Sequence, residues 1–405
     1  MNILIVSQYF WPENFRINDL ALGLKEQGHG VTVLTGIPNY PEGRFFSGYG
    51  FFTHRHEQWH GVNIIRVPLI PRRDGGSVWL AVNYLSFALF GALLAPILCC
   101  GRFDRIFVYQ PSPITVGIPA LVMKFLHGIP IIFWVQDLWP QSLSATGAIK
   151  SRFVLNLVDR LVCHIYSRCS LVLVQSRAFI DVIRSQGVPI ERIQYFPNGA
   201  EEFYRPIKAD SATAEAREMP AGFRVVFAGN IGDAQDFATI LAAAEILQQY
   251  ADIRWIIIGD GRARSWVAEQ INNRGLERTV MLLNRKPVET MPHYFAVADA
   301  LLVTLKKAPI FALTIPSKLQ SYLACGKPVI AALDGEGARV VKESGAGFVL
   351  QPENPKDLSA AVLAMYDASV VQRIAMGKNG RKYFEEHFER SMLIKRLEQW
   401  IYEIQ

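Results

Sequence analysis

Short apolar runs recur along this chain, each followed by a polar or glycine-containing loop and then by a segment whose apolar side chains return at helical spacing. Asn2 to Ser7, Val31 to Thr35, Val62 to Val67, Asp104 to Gln110, Ile131 to Val135, Leu171 to Gln175 and Ile193 to Phe196 lack the polar alternation of a half-exposed strand. They read as strands of a parallel sheet covered on both faces. Helices are predicted between them over Leu20 to Gln27, Ile114 to Leu126, Phe153 to Tyr166 and Ala178 to Gln186. After the turn Pro197, Asn198, Gly199 and a polar, alanine-rich run from Lys208 to Gly222 that reads as interdomain connection, the pattern restarts. Its strands are Arg224 to Ala228, Ile253 to Ile258, Thr279 to Leu283, Ala300 to Thr304 and Pro328 to Ala332, and helices close the chain over Asp357 to Tyr366, Val371 to Phe384 and Met392 to Ile404. The expected architecture is α/β with two Rossmann-like domains, residues 1–205 and 206–388, and a terminal helix over 389–405.

Ligands of open α/β sheets bind outside the carboxyl ends of the strands. In the second half those ends deliver Gly229, Asn230, Ile231, Gly232; Gly259, Asp260, Gly261, Arg262; and Asn284, Arg285, Lys286. The stretch IPSKLQSYLACGKPVIA, Ile315 to Ala331, adds a helix start: Pro316 suits a first turn, Ser317 can offer its hydroxyl to free amides, and Lys318 places a positive charge where the backbone already favours an anion. Leu319 and Ser321 follow on the same helix, and Gly335, Glu336, Gly337 join the rim one strand later. Glycines that let amides approach, together with Arg262, Arg285, Lys286 and Lys318, point to a phosphate or diphosphate site. In the first half Glu13 and Arg16 follow the first strand, and Asp137 opens the loop QDLWPQSLSATG. Asp137 can instead cap the turn after it, and Glu13 can instead pair with Arg16. The first strand–helix turn has no GxGxxG, so a dinucleotide is not expected there.

Val78 to Cys100 carries no charged residue over a length that could span a bilayer. Asn83, Ser86, Gly91 and Pro96 interrupt it, and the next segment reads as another strand of the same sheet. It is therefore expected to lie on the domain face, with Trp79, Tyr84, Phe87 and Phe90 dipping into a lipid interface beside Arg72 and Arg73, or else to be wholly buried. The formal net charge of +6 is mild and its lysines and arginines are scattered, which fits anionic lipid headgroups and argues against nucleic acid. The five cysteines form no CxxC pair and read as reduced thiols, no signal peptide is apparent before the first strand, and the cytoplasm is the expected compartment. His54, His56 and His60 are closely spaced but lack a helix or paired carboxylates, so a polar hairpin is expected in preference to a metal site.

Taken in order, QYFWPE, GHGVTVLTGIPNYP, VQDLWPQS, the PNG turn with Phe203 and Pro206, FAGNIGDAQ and IPSKLQSYLACGKPVIA resemble the family 4 nucleotide-sugar glycosyltransferases of the two-domain GT-B fold. The resemblance is strongest to bacterial O-antigen and colanic-acid transferases, in particular the L-fucosamine transferases. It implies two parallel sheets facing across a cleft, a UDP-sugar held by the C-terminal domain, an acceptor held mainly by the N-terminal one, and a last helix that crosses back onto the first domain. It also implies a retaining reaction in which the leaving phosphate assists deprotonation of the acceptor. In an inverting member, Asp137 or Glu13 would be the base.

Two departures from the family pattern stand out. The paired glutamates often found in the family fall on Leu313 and Ser321, and the arginine and lysine that often follow the GN-type turn are replaced by Gln235 and Asp236. Lys318, with Arg285, becomes the candidate for neutralising the leaving diphosphate. There is no DxD pair, so the sequence requires no bridging metal, and no cofactor is expected. The expected reaction moves a sugar such as N-acetyl-L-fucosamine from UDP to a lipid-diphosphate-linked saccharide at the inner membrane. A UDP-sugar 2-epimerase of the same architecture would turn over without acceptor, and a non-catalytic binder would hold UDP-sugar without cleaving it.

Overall fold

The structure, a computed structural model, describes residues 1–73, 75–145, 149 and 151–404. Thr146 and Gly147, at the end of the loop that Asp137 opens, lie outside them. The chain forms two compact units, residues 1–197 with 391–405, and residues 198–390. The run 208–222, read from the sequence as connection, lies within the second unit and contains a short helix, Ala214–Glu218.

In the first unit β1 (Asn2–Val6), β2 (Gly30–Gly36), β3 (His56–Trp59), β4 (Val62–Val67), β5 (Arg105–Gln110), β6 (Ile131–Val135), β7 (Leu171–Val174) and β8 (Ile193–Tyr195) form one sheet of order β3-β4-β2-β1-β5-β6-β7-β8. Only the β3–β4 pair is antiparallel. Ile3 of β1 lies beside both Val31 of β2 and Arg105 of β5, so the chain reverses its direction of travel across the sheet at β1. Both faces are covered, which is why the central strands read as unbroken apolar runs. On one face Ile3, Ile5, Val31 and Val33 pack with Leu20 and Leu24 of helix Arg16–Glu26 and with Leu393, Leu397 and Ile401 of helix Arg390–Glu403. Arg105 fastens that last helix, donating from Nε to the carbonyl of Ile401 at 2.9 Å and from Nη2 to that of Ile404. His29 adds a contact to Glu398 at 3.1 Å.

On the other face helix Ser77–Leu98 packs on helix Gly117–His127 at Gly91, where a Cβ would come within 2.6 Å of the Pro119 ring. Helix Ser77–Leu98 is long and apolar enough to cross a membrane by length and composition. The structure explains its two polar interruptions. Asn83 donates to the carbonyl of Ile70 at 2.6 Å and accepts from Gln8 at 2.7 Å, and Ser86 accepts from the amide of Ile70 at 2.9 Å. It also corrects the aromatic set expected to face lipid. Phe87 is fully buried, Tyr84 meets Trp139 edge-on at 6.4 Å, and Trp79 is covered by the Arg73 guanidinium at 3.5 Å.

The histidine-rich segment is a hairpin with an edge strand of its own. β3 alternates exposed and half-exposed residues, and His60 and Gly61 make the turn with φ of 48° and 80°. Among the described residues no cluster of His, Cys, Asp or Glu could hold a metal ion.

The second unit carries β9 (Phe223–Ala228), β10 (Ile253–Ile258), β11 (Val280–Leu283), β12 (Ala300–Thr304), β13 (Val329–Ala332) and β14 (Gly347–Leu350), all parallel, in the order β11-β10-β9-β12-β13-β14. β9 and β12, side by side at the centre, mark the reversal point here. Gly335, Glu336 and Gly337, read from the sequence as part of the rim, begin helix Gly335–Ser344, where Glu336 pairs with Arg339 at 3.0 Å.

Candidate active site

Two loops leaving β9 and β10 nest against each other at the rim of the second unit. The Gly229 amide donates to the carbonyl of Ile258 at 2.9 Å, and that of Ile231 to Asp260 at 2.8 Å. Gly259 and Gly261 have φ of 155° and 156°, a region L side chains rarely enter. A Cβ on Gly259 would collide with the Gly229 carbonyl oxygen, and one on Gly261 would lie 2.7 Å from Asn230 Oδ1. The glycines are there because the two backbones touch.

Helix Ser317–Ala324 is clamped beside these loops. Leu319 and Leu323 are fully buried in the core. The Tyr322 hydroxyl accepts from the amide of Ala228, the last residue of β9, at 2.9 Å. Buried Gln320, with its amide nitrogen turned toward the helix start, donates to the carbonyls of Pro316 and Ser317, each at 3.0 Å. With the helix fixed, the Lys318 ammonium sits 3.6 Å from the centre of the Phe227 ring and donates to Gln235 Oε1 at 2.6 Å. Its Nζ and Cε lie 3.4 Å from the place a Cβ on Gly229 would take. The neighbours are thus a ring, a neutral amide and a glycine. Burial drives the Lys318 pKa well below the usual lysine value.

The structure therefore brings Gly229, Asn230, Gly261 and Lys318 together. Arg262 and Arg285 are exposed at the ends of β10 and β11, whose loops are tied by a 2.6 Å hydrogen bond from Arg264 to Asn284. Lys286 is engaged elsewhere, 2.5 Å from Glu218, which also accepts from the Tyr294 hydroxyl. Ser317 is exposed, whereas Leu319 and Ser321 face inward, Leu319 with its amide donating to Pro316 at 2.8 Å. Phe227, Gln235 and Tyr322 were not anticipated. Their one sequence signal is position: an aromatic just before the glycine turn, and a tyrosine one helical turn after Lys318.

At the rim of the first unit Glu13 is 2 % exposed, and its Oε1 accepts from the amides of Asn39 at 2.8 Å and Tyr40 at 2.7 Å. Burial pushes its pKa up to about 7 against those hydrogen bonds. Asn39 extends the lattice to helix Ser77–Leu98 by accepting from Asn83 at 3.4 Å. Arg16 is the first residue of helix Arg16–Glu26. Asp137 accepts from Ser142 Oγ and, at 3.3 Å, from Trp139 Nε1, closing the turn into helix Gln141–Ala145. Burial pushes the Asp137 carboxyl up to about 6.

Residues 14–199 match the Glycosyl transferase 4-like domain, and residues 215–383 match Glycosyl transferases group 1. The chain is 24 % identical over 381 residues to the putative colanic acid biosynthesis glycosyl transferase WcaI of Escherichia coli K12, covering 89 % of this chain and 91 % of that one. It is 25 % identical to the probable glycosyltransferase WbjE of Pseudomonas aeruginosa, over 62 % of this chain and 63 % of that one. The chain is a glycosyltransferase. Its fold is GT-B: the crystal structure of Anabaena Alr3699/HepE in complex with UDP superimposes with a TM-score of 0.73 over the full length of both chains at 15 % identity.

In this glycosyltransferase the second-unit rim offers an anion the half-buried Lys318 ammonium and a glycine-lined approach. The carboxylates of the first-unit rim are already held by amides, a hydroxyl and an indole. An ammonium surrounded by neutral groups interacts strongly with a negative ligand, because little solvent screens it.

Proposed function

We propose that this glycosyltransferase moves a sugar from a UDP-sugar onto a polyprenyl-diphosphate-linked saccharide at the cytoplasmic face of the inner membrane, in O-antigen or exopolysaccharide assembly, and that N-acetyl-L-fucosamine is the sugar. The second domain holds the donor and the first domain the acceptor. One observation carries this reading: Lys318 packs, half-buried, against Phe227 and Gly229 with Gln235 as its hydrogen-bond partner. As the bond from the anomeric carbon to the β-phosphate oxygen breaks, charge grows on the diphosphate, and the Lys318 ammonium offsets it. Gln235 stands where the family often has a cation, and Leu313 and Ser321 stand where it often has glutamates. Lys318 is therefore given more of the electrostatic work here. Glu13 and Asp137 position the loops that face the acceptor.

A relative named for colanic acid biosynthesis and a structural neighbour crystallised with UDP support the assignment. The test uses the full chain with radiolabelled UDP-sugars and membranes carrying polyprenyl-diphosphate saccharides. The expected result is label in the lipid fraction, greatest with UDP-N-acetyl-L-fucosamine. Transfer only to a soluble acceptor would overturn the lipid acceptor, and faster transfer from another UDP-sugar would overturn the donor.

A further inference from the structure

Helix Ser77–Leu98 is apolar on its outward side as well as its inward one. Its inward stripe is Asn83, Phe87, Gly91 and Ala95, and its outward stripe, two residues on and so on the opposite side, is Leu85, Leu89, Leu93 and Ile97. The four outward side chains are 57–65 % exposed, while Asn83, Phe87 and Ala95 have no exposed surface. A surface helix in water carries polar residues on its outward side. The apolar exposure continues on the neighbouring helices of the same layer, with Phe125 87 % exposed on Gly117–His127 and Phe153 79 % exposed on Arg152–Ser167. The layer is continuous: a Cβ on Gly117 would meet Ile165 at 2.9 Å, and Lys124 donates to the carbonyl of Arg168 at 2.7 Å.

Charge identifies the occupant. Within these three helices Asp159 is the one acidic residue, against Lys124, Arg152 and Arg160, and over their flanks Arg72, Arg73, Arg102, Arg105 and Arg168 outnumber Asp74 and Asp104 in the sequence. An apolar stripe with a basic border complements a bilayer whose headgroups are anionic. We propose that this face of the first domain, led by Leu85, Leu89, Leu93 and Ile97, docks on an anionic phospholipid surface, with helix Ser77–Leu98 lying in the interface. The opposite side of the helix is already packed on Pro119 and hydrogen-bonded through Asn83, so it does not leave the domain to span the bilayer. This rests on the reading of a lipid-borne acceptor, and it puts the aliphatic stripe ahead of the aromatic residues, of which Phe87 is buried and Trp79, Tyr84 and Phe90 are half-buried.

The test is sedimentation of the full chain with vesicles of phosphatidylglycerol and phosphatidylethanolamine, against vesicles of phosphatidylcholine alone. Binding is expected to the anionic vesicles, at least tenfold weaker to the neutral ones, and weaker again when salt rises from 0.1 to about 0.5 M. Leu89→Glu with Leu93→Glu, at exposed positions, should lower binding at least tenfold with an unchanged circular dichroism melt. Arg152→Glu with Arg160→Glu should lower it severalfold. Transfer to a short-chain, detergent-free acceptor should persist in both variants, so loss of docking and loss of the transferase reading are told apart. Failure of the native chain to bind either vesicle would overturn the proposal. So would a concentration-dependent dimer that the Leu89→Glu, Leu93→Glu variant converts to monomer, because the stripe would then be covered by a second copy.

Discussion

The two domain rims hold their buried ionisable groups on different terms. At the first rim Glu13 takes two backbone amides and Asp137 takes a hydroxyl and an indole, so each carboxylate ties one loop to the next. At the second rim Lys318 is half-buried, and it is met by a ring and a neutral amide. Burial opposes charge in all three: it raises the two carboxylates and lowers the lysine. The difference lies in what each group still lacks. The carboxylates act as joints, whereas the lysine calls for an anion from outside the protein.

The sharpest way to break this comparison is Lys318→Met. If the ammonium serves a ligand rather than the fold, transfer should fall by about a thousandfold, on the order of 4 kcal/mol of transition-state stabilisation, while the melting temperature holds or rises. Calorimetry should also show UDP binding weakened by at least tenfold in the variant. Unchanged UDP affinity would end the claim. Next in size is Gly259→Ala, whose Cβ meets the Gly229 carbonyl in a left-handed backbone. A loss of about 3 kcal/mol, on the order of 10 °C in melting temperature, is expected, with UDP binding lost alongside. Gly275→Ala is the control, because its φ of 62° is left-handed but nothing lies within 4 Å, and about 1 kcal/mol is expected.

The joints can be read by pH. Between the ordinary glutamate value of 4.5 and about 7, folded Glu13 keeps a proton that the unfolded chain has released. Stability should therefore fall as pH rises through that window, by at most about 3 kcal/mol from this residue, with Asp137 adding the same sign up to about 6. Glu13→Gln keeps an oxygen for the two amides and removes the titration, so urea midpoints at pH 5 and 7.5 should draw together. A slope identical to that of the native chain would show that Glu13 is not the titrating joint. The smallest effect is expected from Ser317→Ala, whose side chain is exposed at the start of its helix. UDP affinity should change less than threefold and stability by less than about 0.5 kcal/mol.

The fold was legible because strands covered on both faces leave long apolar runs, and such runs need no knowledge of their partners to be seen. The edges were less so. β3 and β14 are four residues each and have no buried position, β3 being polar throughout its first three residues and β14 opening on a glycine. The site was legible where a residue's role follows from its own backbone, as for Gly229, Gly261 and Lys318. It was not legible where the role depends on a neighbour distant in sequence. Lys286 looked like a ligand for phosphate until Glu218 was found beside it, and Leu319 follows Lys318 in sequence but turns inward because adjacent helical positions diverge by about 100°. The cation–ring contact of Lys318 with Phe227 and the hydroxyl of Tyr322 on Ala228 each join residues more than ninety positions apart, a pairing no local pattern announces.

The helix Arg390–Glu403 has a consequence for biogenesis. Leu393, Leu397 and Ile401 belong to the core of the first domain, yet the ribosome delivers them only after the whole second domain has emerged. The apolar surface of Ile3, Ile5, Val31 and Val33 that they help to cover must wait, unsealed, through all of that synthesis. The amino-terminal half of this enzyme is thus begun first and finished last, and a nascent chain stalled in its second half would display the sticky face that chaperones recognise.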